Sequence, residues 1–547
     1  MDRAFKKFKD RGEENMLPEE AYQELEEAVG PENASREPAI LDGYAYYTLG
    51  NFNPPWMDRP EAVVLPGSTE EVQAVAKICN KYKIKFKPLA TGWETIAAVG
   101  GEGVIQIDLR RMNRILEIDE RNMYAVVEPC VTYAQLQAEA MKRGLNCHII
   151  GAGSGTSAMA SSTSHMGVGW DSLSLGNGPC NILGLEWVLP SGELLKLGSL
   201  GSGCGWFMGD GPGPSLRGIM RGWMGAHGGI GVFTKCALKL YNGPGPAAPE
   251  VEGLLLDSRV KVPETTKLYM CLLPDWDGYG NFLYRFADAE IGYMECKNAI
   301  GLVLLAFAPH LMRRIIKTSA MREMIGGAFQ HLIQIMIAAN SKREMEYEEM
   351  VLREIVSETE GILIDLSKIP TLHEMMWFSF VRASLPPMIF RAGGDFMIGF
   401  PQEEAFDAGV EQAKFGAEVK KEFIEKGDIL DDFGDDAWGG IFMQDSVLHQ
   451  EELALYDHRT QDISAFFNKV NEGYIEKAIG LSFIVNFGGR HDKYGPLCCN
   501  YHIWQRKVKR AFDKDDIADP YYYISAQEPK ESARPDGRMT AESQERT

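Results

Sequence analysis

The chain has 547 residues, of which 45% are hydrophobic, 10% aromatic and 24% charged, a balance that supports packed cores and excludes a wholly disordered protein. At roughly 150 residues per domain it is too long for one small module. Its formal net charge of -21 excludes a nucleic-acid backbone as the main partner, because phosphate binding needs concentrated Lys and Arg. The short basic cluster Arg506, Lys507, Lys509 and Arg510 is read as a solvated helix face.

In chain order, LPEEAYQELEEAVG (17 to 30) has the pattern of an amphipathic helix closed by glycine. AVVLP (62 to 66) reads as a buried strand. GSTEEVQAVAKICNKY (67 to 82) reads as a helix with a Ser/Thr cap, and IKFKPLA (84 to 90) as a second strand. This is a strand, helix, strand unit, which places strands in parallel. Strands are expected at 104 to 112, 115 to 119 and 124 to 130, then a helix over 131 to 145 that stops at Gly144. ILGLEWVLPSGELLKLG (182 to 198) has a hairpin pattern around Pro190, Ser191 and Gly192, and 232 to 241 is a further strand. NGPGPAAPE (242 to 250) marks a boundary. Beyond it, 310 to 361 reads as mostly helical, with VEGLLLDS and IGLVLLAFA as strands, which together suggest an α+β domain. The tail from about Ala526 is polar and aperiodic, so it is expected to be disordered or wrapped on a partner.

No segment approaches the ~20 apolar residues needed to span a bilayer, and no apolar stretch follows the basic start MDRAFKKFKDRGEEN. The expectation is a cytoplasmic protein without membrane insertion. The ten cysteines include no CxxC pair, and Cys498 and Cys499 cannot by themselves supply four-thiolate spacing, so an iron-sulfur cluster would belong to another subunit.

Three segments are rich in glycine: KPLATGWET (87 to 95), GAGSGTSAMASSTSHMGVG (151 to 169) and GWMGAHGGIGVFT (222 to 234). Glycine is tolerable where a turn needs positive φ or where a ligand must approach the main chain. Three such loops among strands fit either plain turns or a backbone cradle for a dinucleotide. No GxGxxG fingerprint with a following acid is present, nor any GxxxxGK[ST] loop.

RPEAVVLPGSTEEVQAVAKICNKYKIKFKPLATGW, the second glycine loop followed by CNILGLEWVLPSGELLKLG, and GPSLRGIMRGWMGAHGGIGVFTKCALKLY closely resemble the FAD-binding half of the vanillyl-alcohol oxidase and p-cresol methylhydroxylase superfamily. Flavin-linked D-lactate and glycolate dehydrogenases share this half. LPEEAYQELEEAVGPENASREPAILDGYAYY is similar to the family's lead-in, and AFDKDDIADP to its returning C-terminal segment. The resemblance implies an α+β fold: a two-subdomain PCMH-type FAD-binding domain over 1–245, a substrate-binding cap over 246–480, a return over 481–525 and a tail over 526–547. It implies FAD contacts from Pro88, Leu89, Ala90, Thr91, Gly92, Trp93 and Thr95, and from Pro129 and Val131. Further implied contacts are Gly151, Gly153, Ser154, Gly155, Thr156, Ser161, Ser162 and His165, then Gly231 and Val232. The first loop departs from the usual PRGGGTS at Leu89, Ala90, Trp93 and Glu94, and it holds no histidine for a histidyl-flavin link.

The resemblance also places IVNFGGRHDKYGPLCCNYHIWQ (484 to 505) on the substrate side of the flavin, where His491 is a candidate base and Tyr501 and His502 are candidate anchors or polarising groups. Arg391, in an apolar stretch, is a candidate anchor for a carboxylate or phenolate. Asn177 stands near where phenol-oxidising relatives carry an acid, and the HxGDGNxH motif of the hydroxy-acid branch is absent, so no metal site is expected. The implied activity is an FAD-dependent dehydrogenase of a small organic substrate, with oxidase or non-catalytic flavin subunit as alternatives. An oligomer is expected, with an iron-sulfur or cytochrome electron-transfer subunit as a candidate partner.

Overall fold

The computed structural model describes residues 17–46, 57–92, 97–165, 167–198, 215–220, 225–243, 249–253, 259–298, 301, 303–304, 308–384, 395–433, 438–442, 447–457, 463–477, 500–519 and 521–528. The first sheet has the order β1-β2-β4-β3, built from β1 (Ala34–Ser35), β2 (Val63–Val64), β3 (Lys85–Leu89) and β4 (Val104–Asp108). The helix Thr69–Tyr82 starts where Ser68 Oγ accepts from the Glu71 N–H, while the Glu71 carboxylate accepts from Gly67 N at 2.7 Å. Its buried Val72, Val75, Ala76 and Cys79 pack against Ile105 and Ile107, in a core shared with Leu25 and Val29 of the helix Glu19–Val29. The strand, helix, strand unit therefore forms as expected and its strands are parallel, but β4 inserts between them. This leaves β3 at the sheet edge, the position where a strand tolerates a proline such as Pro88.

The second sheet is antiparallel, ordered β5-β6-β10-β8-β9. Its strands are β5 (Ile115–Asp119), β6 (Tyr124–Val127), β8 (Ile182–Val188), β9 (Leu194–Leu197) and β10 (Val232–Lys239), while β7 (Leu145–Asn146) pairs separately with β11 (Tyr241–Asn242). The hairpin read at Pro190 to Gly192 is the β8 to β9 turn, with Gly192 at φ +83. Trp187 of β8 is fully buried beneath it, stacked on Phe512 with ring centres 5.0 Å apart, and its indole N–H donates to Ile230 O at 3.0 Å.

The cap begins with the pair β12 (Val251–Glu252) and β13 (Arg259–Val260). It is then built on one seven-stranded antiparallel sheet ordered β17-β14-β16-β15-β19-β20-β18. These strands are β14 (Thr266–Leu272), β15 (Met294–Asn298), β16 (Leu332–Ala338), β17 (Ile362–Asp365), β18 (Asp395–Glu404), β19 (Trp438–Phe442) and β20 (Val447–Tyr456). Ile333, Ile335 and Leu448 meet the helices Trp276–Asp288, Lys342–Glu358 and Phe406–Lys426 on one face. Met294, Met336 and Trp377 on the other face meet Trp170 of the N-terminal half. The segment expected to be mostly helical contains β16. Its LIQIMIA run is apolar except for the buried Gln334 because both faces are covered, so periodicity does not separate strand from helix. Conversely, in IGLVLLAFA, expected as a strand, the described residues 301, 303 and 304 are helical.

The C-terminal helix Tyr501–Phe512 returns to the N-terminal half, and the chain after it runs beside β3, where Phe86 N donates to Ile517 O at 2.8 Å and Asp519 N to Phe86 O at 2.9 Å. The basic cluster on this helix is not the solvated face expected. Lys509 is fully buried, its ammonium donating to Gly229 O at 2.6 Å, Ala518 O at 2.7 Å and Asp513 at 2.7 Å. Arg506 is also buried and donates to Ser525 O at 2.6 Å, and Ala526, where the tail was expected to loosen, is buried with its N–H on Asp516 at 2.7 Å. Among the described residues, no helix is long and apolar enough to cross a membrane, and every cysteine is a free thiol.

Ile335 is buried at the centre of the cap sheet. Ile335→Ala is expected to lower the unfolding free energy by about 2–5 kcal/mol, measured by urea denaturation.

Candidate cofactor cleft and active site

The three glycine-bearing loops meet at one cleft, which encloses about 900 Å³ between atoms, part of it open to solvent. The first loop contributes Pro88, Leu89, Ala90, Thr91 and Gly92; the second contributes Thr156, Ser157 and the wall from Met159 to His165; the third contributes His227, Gly228, Gly231 and Val232. Loop-to-loop hydrogen bonds hold them in register: Ser157 N donates to Thr91 Oγ1 at 3.1 Å, and Ser157 Oγ donates to Pro129 O. The glycines of the third loop are required by geometry. Gly228 is at φ +74, and a Cβ there would stand 2.7 Å from Pro88; Gly231 is at φ +127, facing Val188 O and the Trp187 indole.

The wall carries hydroxyls and bare backbone, one lysine, two histidines and no carboxylate. Lys87 Nζ lies 2.6 Å from Asp519 Oδ2, and both groups are buried. Burial pulls the Lys87 ammonium below its usual range despite Asp519. Burial alone would raise the Asp519 carboxyl, yet the Lys87 charge and the His227 hydrogen bond bring it below the usual carboxylate value. His227 is held down at about 4 by burial and by the Lys87 charge, and His165 at about 3 by burial and the neighbouring imidazoles of His227 and His449. At neutral pH both imidazoles are therefore uncharged. A long cleft lined by exposed main chain and hydroxyls, without acids to repel a diphosphate, fits FAD. The residues present to hold it are those of the three loops.

Several expected contacts lie on the wall: Pro88 to Gly92, Pro129, Thr156, Ser161, His165, Gly231 and Val232. Val131 is instead a core residue, and Ser162 is buried with its hydroxyl on Ala158 O at 2.9 Å. Gly151, Gly153, Ser154 and Gly155 are also off the wall. A Cβ at Gly151 would strike the Trp438 ring of the cap, Ser154 N donates to Ala383 O at 3.3 Å, and a Cβ at Gly155 would meet nothing within 4 Å. The glycine run at the start of the second loop thus makes room for the cap, and the cleft wall starts at Thr156. Trp93, Thr95, Arg391 and His491 lie outside the described residues. Tyr501 and His502 open the C-terminal helix, Tyr501 is 49% exposed, and neither lines the cleft. The sequence reading missed Lys87 and His227, although a lone histidine inside GAHGG was visible as an unusual side chain in a bare loop.

The cap contributes a further histidine that sequence reasoning did not single out. His449 of β20 is fully buried, its Nε2 is 2.8 Å from Glu451 Oε1, and its ring meets Trp438 edge-on at 5.1 Å. Period-two alternation puts His449 and Glu451 on one face of β20, opposite the face where Gln412 meets Glu452 at 2.9 Å. Beneath the second loop, His148 places Nδ1 2.6 Å from Asp171 Oδ1 and Nε2 2.6 Å from Gly167 O. Both nitrogens can donate only in the imidazolium. Burial opposes that charge, but Asp171 and the Gly167 carbonyl outweigh it and raise the pKa above its ordinary value.

Because the folded pKa of His148 is raised, its stabilisation is complete below the unfolded value of about 6.5 and is lost as pH rises through the folded value. Wild-type unfolding free energy is expected to fall with rising pH above that point, and His148→Gln is expected to remove this contribution, as read by denaturation at pH 6 to 9. Gly228→Val is expected to displace Pro88 and lower the FAD content of the purified chain, whereas Gly155→Val is expected to retain it, both read by flavin absorbance per chain.

A family model described as "FAD binding domain" matches residues 60–198. Over 34% of its length the chain is 31% identical to the 4-cresol dehydrogenase [hydroxylating] flavoprotein subunit of Pseudomonas putida, covering 36% of that protein. It is 30% identical to a probable mitochondrial D-lactate dehydrogenase of Danio rerio, over 34% of this chain and 36% of that protein. The chain thus spans little more than a third of the length of these two relatives. Its fold is similar to that of p-cresol methylhydroxylase with substrate bound, at a TM-score of 0.73 and 17% identity, over 95% of this chain and 99% of that one. With the cleft and the order of its loops, residues 60–198 carry an FAD-binding domain, and the chain as a whole has a fold similar to that of p-cresol methylhydroxylase.

Proposed function

We propose that the chain is an FAD-dependent dehydrogenase that oxidises a small organic molecule at an alcohol, hydroxy-acid or activated benzylic carbon and passes the electrons to a separate acceptor. The flavin, when bound, supplies the hydride acceptor; the protein supplies alignment, a proton acceptor and exclusion of water. The observation that carries this reading is the meeting of body and cap, where Gly151 packs on the Trp438 ring and that ring meets His449 edge-on at 5.1 Å. With Glu451 accepting the Nε2–H of His449, the lone pair stands on Nδ1. In this reading His449 takes the proton of the substrate hydroxyl through Nδ1, and Glu451 steadies the imidazolium that forms, the base and orienter arrangement of general-base catalysis. Trp438 packs against Gly151 where the cap meets the second loop. Arg391 and His491 are kept as proposed contributors, Arg391 as the anchor for an anionic group.

The curated relatives point to two substrate classes, 2-hydroxy acids and alkylphenols, and one of them is by its name a flavoprotein subunit, which supports a separate electron-accepting partner. The free thiols support a reducing compartment, the cytoplasm. Anaerobic mixing with a panel of D-2-hydroxy acids and 4-alkylphenols is expected to bleach the flavin with members of one class. His449→Gln is expected to slow that bleaching by roughly 10²–10⁴-fold at unchanged FAD content. Rapid reoxidation by oxygen with stoichiometric peroxide would replace dehydrogenase by oxidase, and no bleaching by any member would sink the substrate assignment.

A further inference from the structure

One side chain on the cleft wall is held more firmly than packing requires. His227 sits at φ +47, left-handed backbone that a residue with a Cβ adopts only under strain. It is only 6% exposed, and its surroundings grip it twice. Its Nδ1 is 3.0 Å from Asp519 Oδ2, the same oxygen that takes the Lys87 ammonium at 2.6 Å, and that ammonium also reaches the His227 carbonyl at 3.4 Å. Tyr522, from the same C-terminal segment, meets the imidazole edge-on at 6.1 Å and lies 5.1 Å from the Lys87 ammonium.

This arrangement fixes the imidazole's chemistry. An ionised Asp519 can only accept, so Nδ1 of His227 carries the proton and Nε2 carries the lone pair. Among the described residues, no protein group hydrogen-bonds Nε2, on a side chain that lines the cleft. His227 and His165 line the same cleft, and Gly228, next to His227, faces Pro88 of the first loop.

We propose that His227 is a cofactor-contacting residue whose Nε2 accepts a hydrogen bond from a hydroxyl or N–H of the bound FAD. Asp519 and Lys87 are positioning residues that act through it, by fixing its tautomer and holding its strained backbone. A ligand-free account would put glycine at this place, as at Gly225, Gly228 and Gly231, which share its positive φ in the same loop. The inference rests on the assignment of the cleft to FAD, and it concerns this chain's own loop rather than the reaction.

The test compares wild type with His227→Gly, which removes ring and strain together, and His227→Asn, which tolerates left-handed backbone and keeps an acceptor. Because Asp519→Asn alone strands the Lys87 charge and risks misfolding, the charge pair is removed as Lys87→Met with Asp519→Leu. FAD content, FAD affinity by flavin-fluorescence quenching, the visible flavin spectrum and thermal unfolding of the FAD-free chain are measured for each. The expected result is FAD binding weakened roughly tenfold in His227→Gly with an altered flavin spectrum, while the FAD-free chain unfolds at or above the wild-type temperature. His227→Asn is expected to recover most of the affinity, and the double variant to fold but bind FAD more weakly. Unchanged affinity and spectrum in His227→Gly would overturn the proposal, as would lost affinity matched by lost stability of the FAD-free chain with no recovery in His227→Asn. Wild type that takes up no FAD would instead overturn the cofactor assignment itself, and this proposal with it.

Discussion

The cleft is assembled on one buried carboxylate. Asp519 faces the Lys87 ammonium and the His227 imidazole through a single oxygen, and so ties together an edge strand, a glycine-rich loop and the returning end of the chain. A lysine buried to this degree is tolerable only with a counter-charge, since taking an ion out of water costs several kcal/mol that only a close partner offsets. Lys509 repeats the device nearby, its three acceptors spanning the third loop, its own helix and the segment after it. Two buried ammonium groups therefore do for the C-terminal return what a sheet ladder does for an ordinary strand. Among the described residues, only the pairing of Phe86 with Ile517 and Asp519 is main chain to main chain.

With its positive charge paired off and its imidazoles neutral, the wall presents glycines, hydroxyl-bearing residues and no acid. That is a surface suited to a diphosphate and a polyhydroxylated chain, and one that leaves acid and base work to the other side. The cap supplies it: Glu451 and His449 lie on the face of β20 away from the helix layer. The division of labour follows from the sheets themselves. The body's loops put small and hydroxyl-bearing residues on the cleft wall, whereas the cap sheet turns alternate side chains of each strand toward one face.

Much of the body could be read from local pattern. The capped helix over 69 to 82, the hairpin at Gly192 and the three glycine-bearing loops all announce themselves through short-range chemistry, and the loops do converge. What the pattern could not convey was orientation. Gly151 to Gly155 and Thr156 to His165 look like one loop in sequence, but the first part clears space for Trp438 and only the second reaches the cleft. The same holds for LIQIMIA, which has apolar residues on both sides because both sheet faces are covered, and for Arg506 and Lys509, whose acceptors are main-chain carbonyls and acids that no helical period reveals. Lys87 and Asp519 are 432 positions apart, and nothing local to either predicts the other. His449 was unreadable for a related reason: its strand carries four consecutive polar residues, His449 to Glu452, all shielded in the fold, so its polarity suggests a surface.

The order of the first sheet has a consequence for biosynthesis. β3 is the edge strand, and its outer neighbour is supplied by residues near 518, so the wall formed by the first and third loops is finished only after almost the whole chain has left the ribosome. Until then Lys87 has no counter-charge, His227 has nothing to hold its backbone, and the loops that should cradle a dinucleotide are present but unbraced. Contacts of such long sequence separation form late and slowly. Cofactor capture is thus tied to synthesis beyond Asp519, and a chain stopped short of that residue lacks the brace of its flavin site.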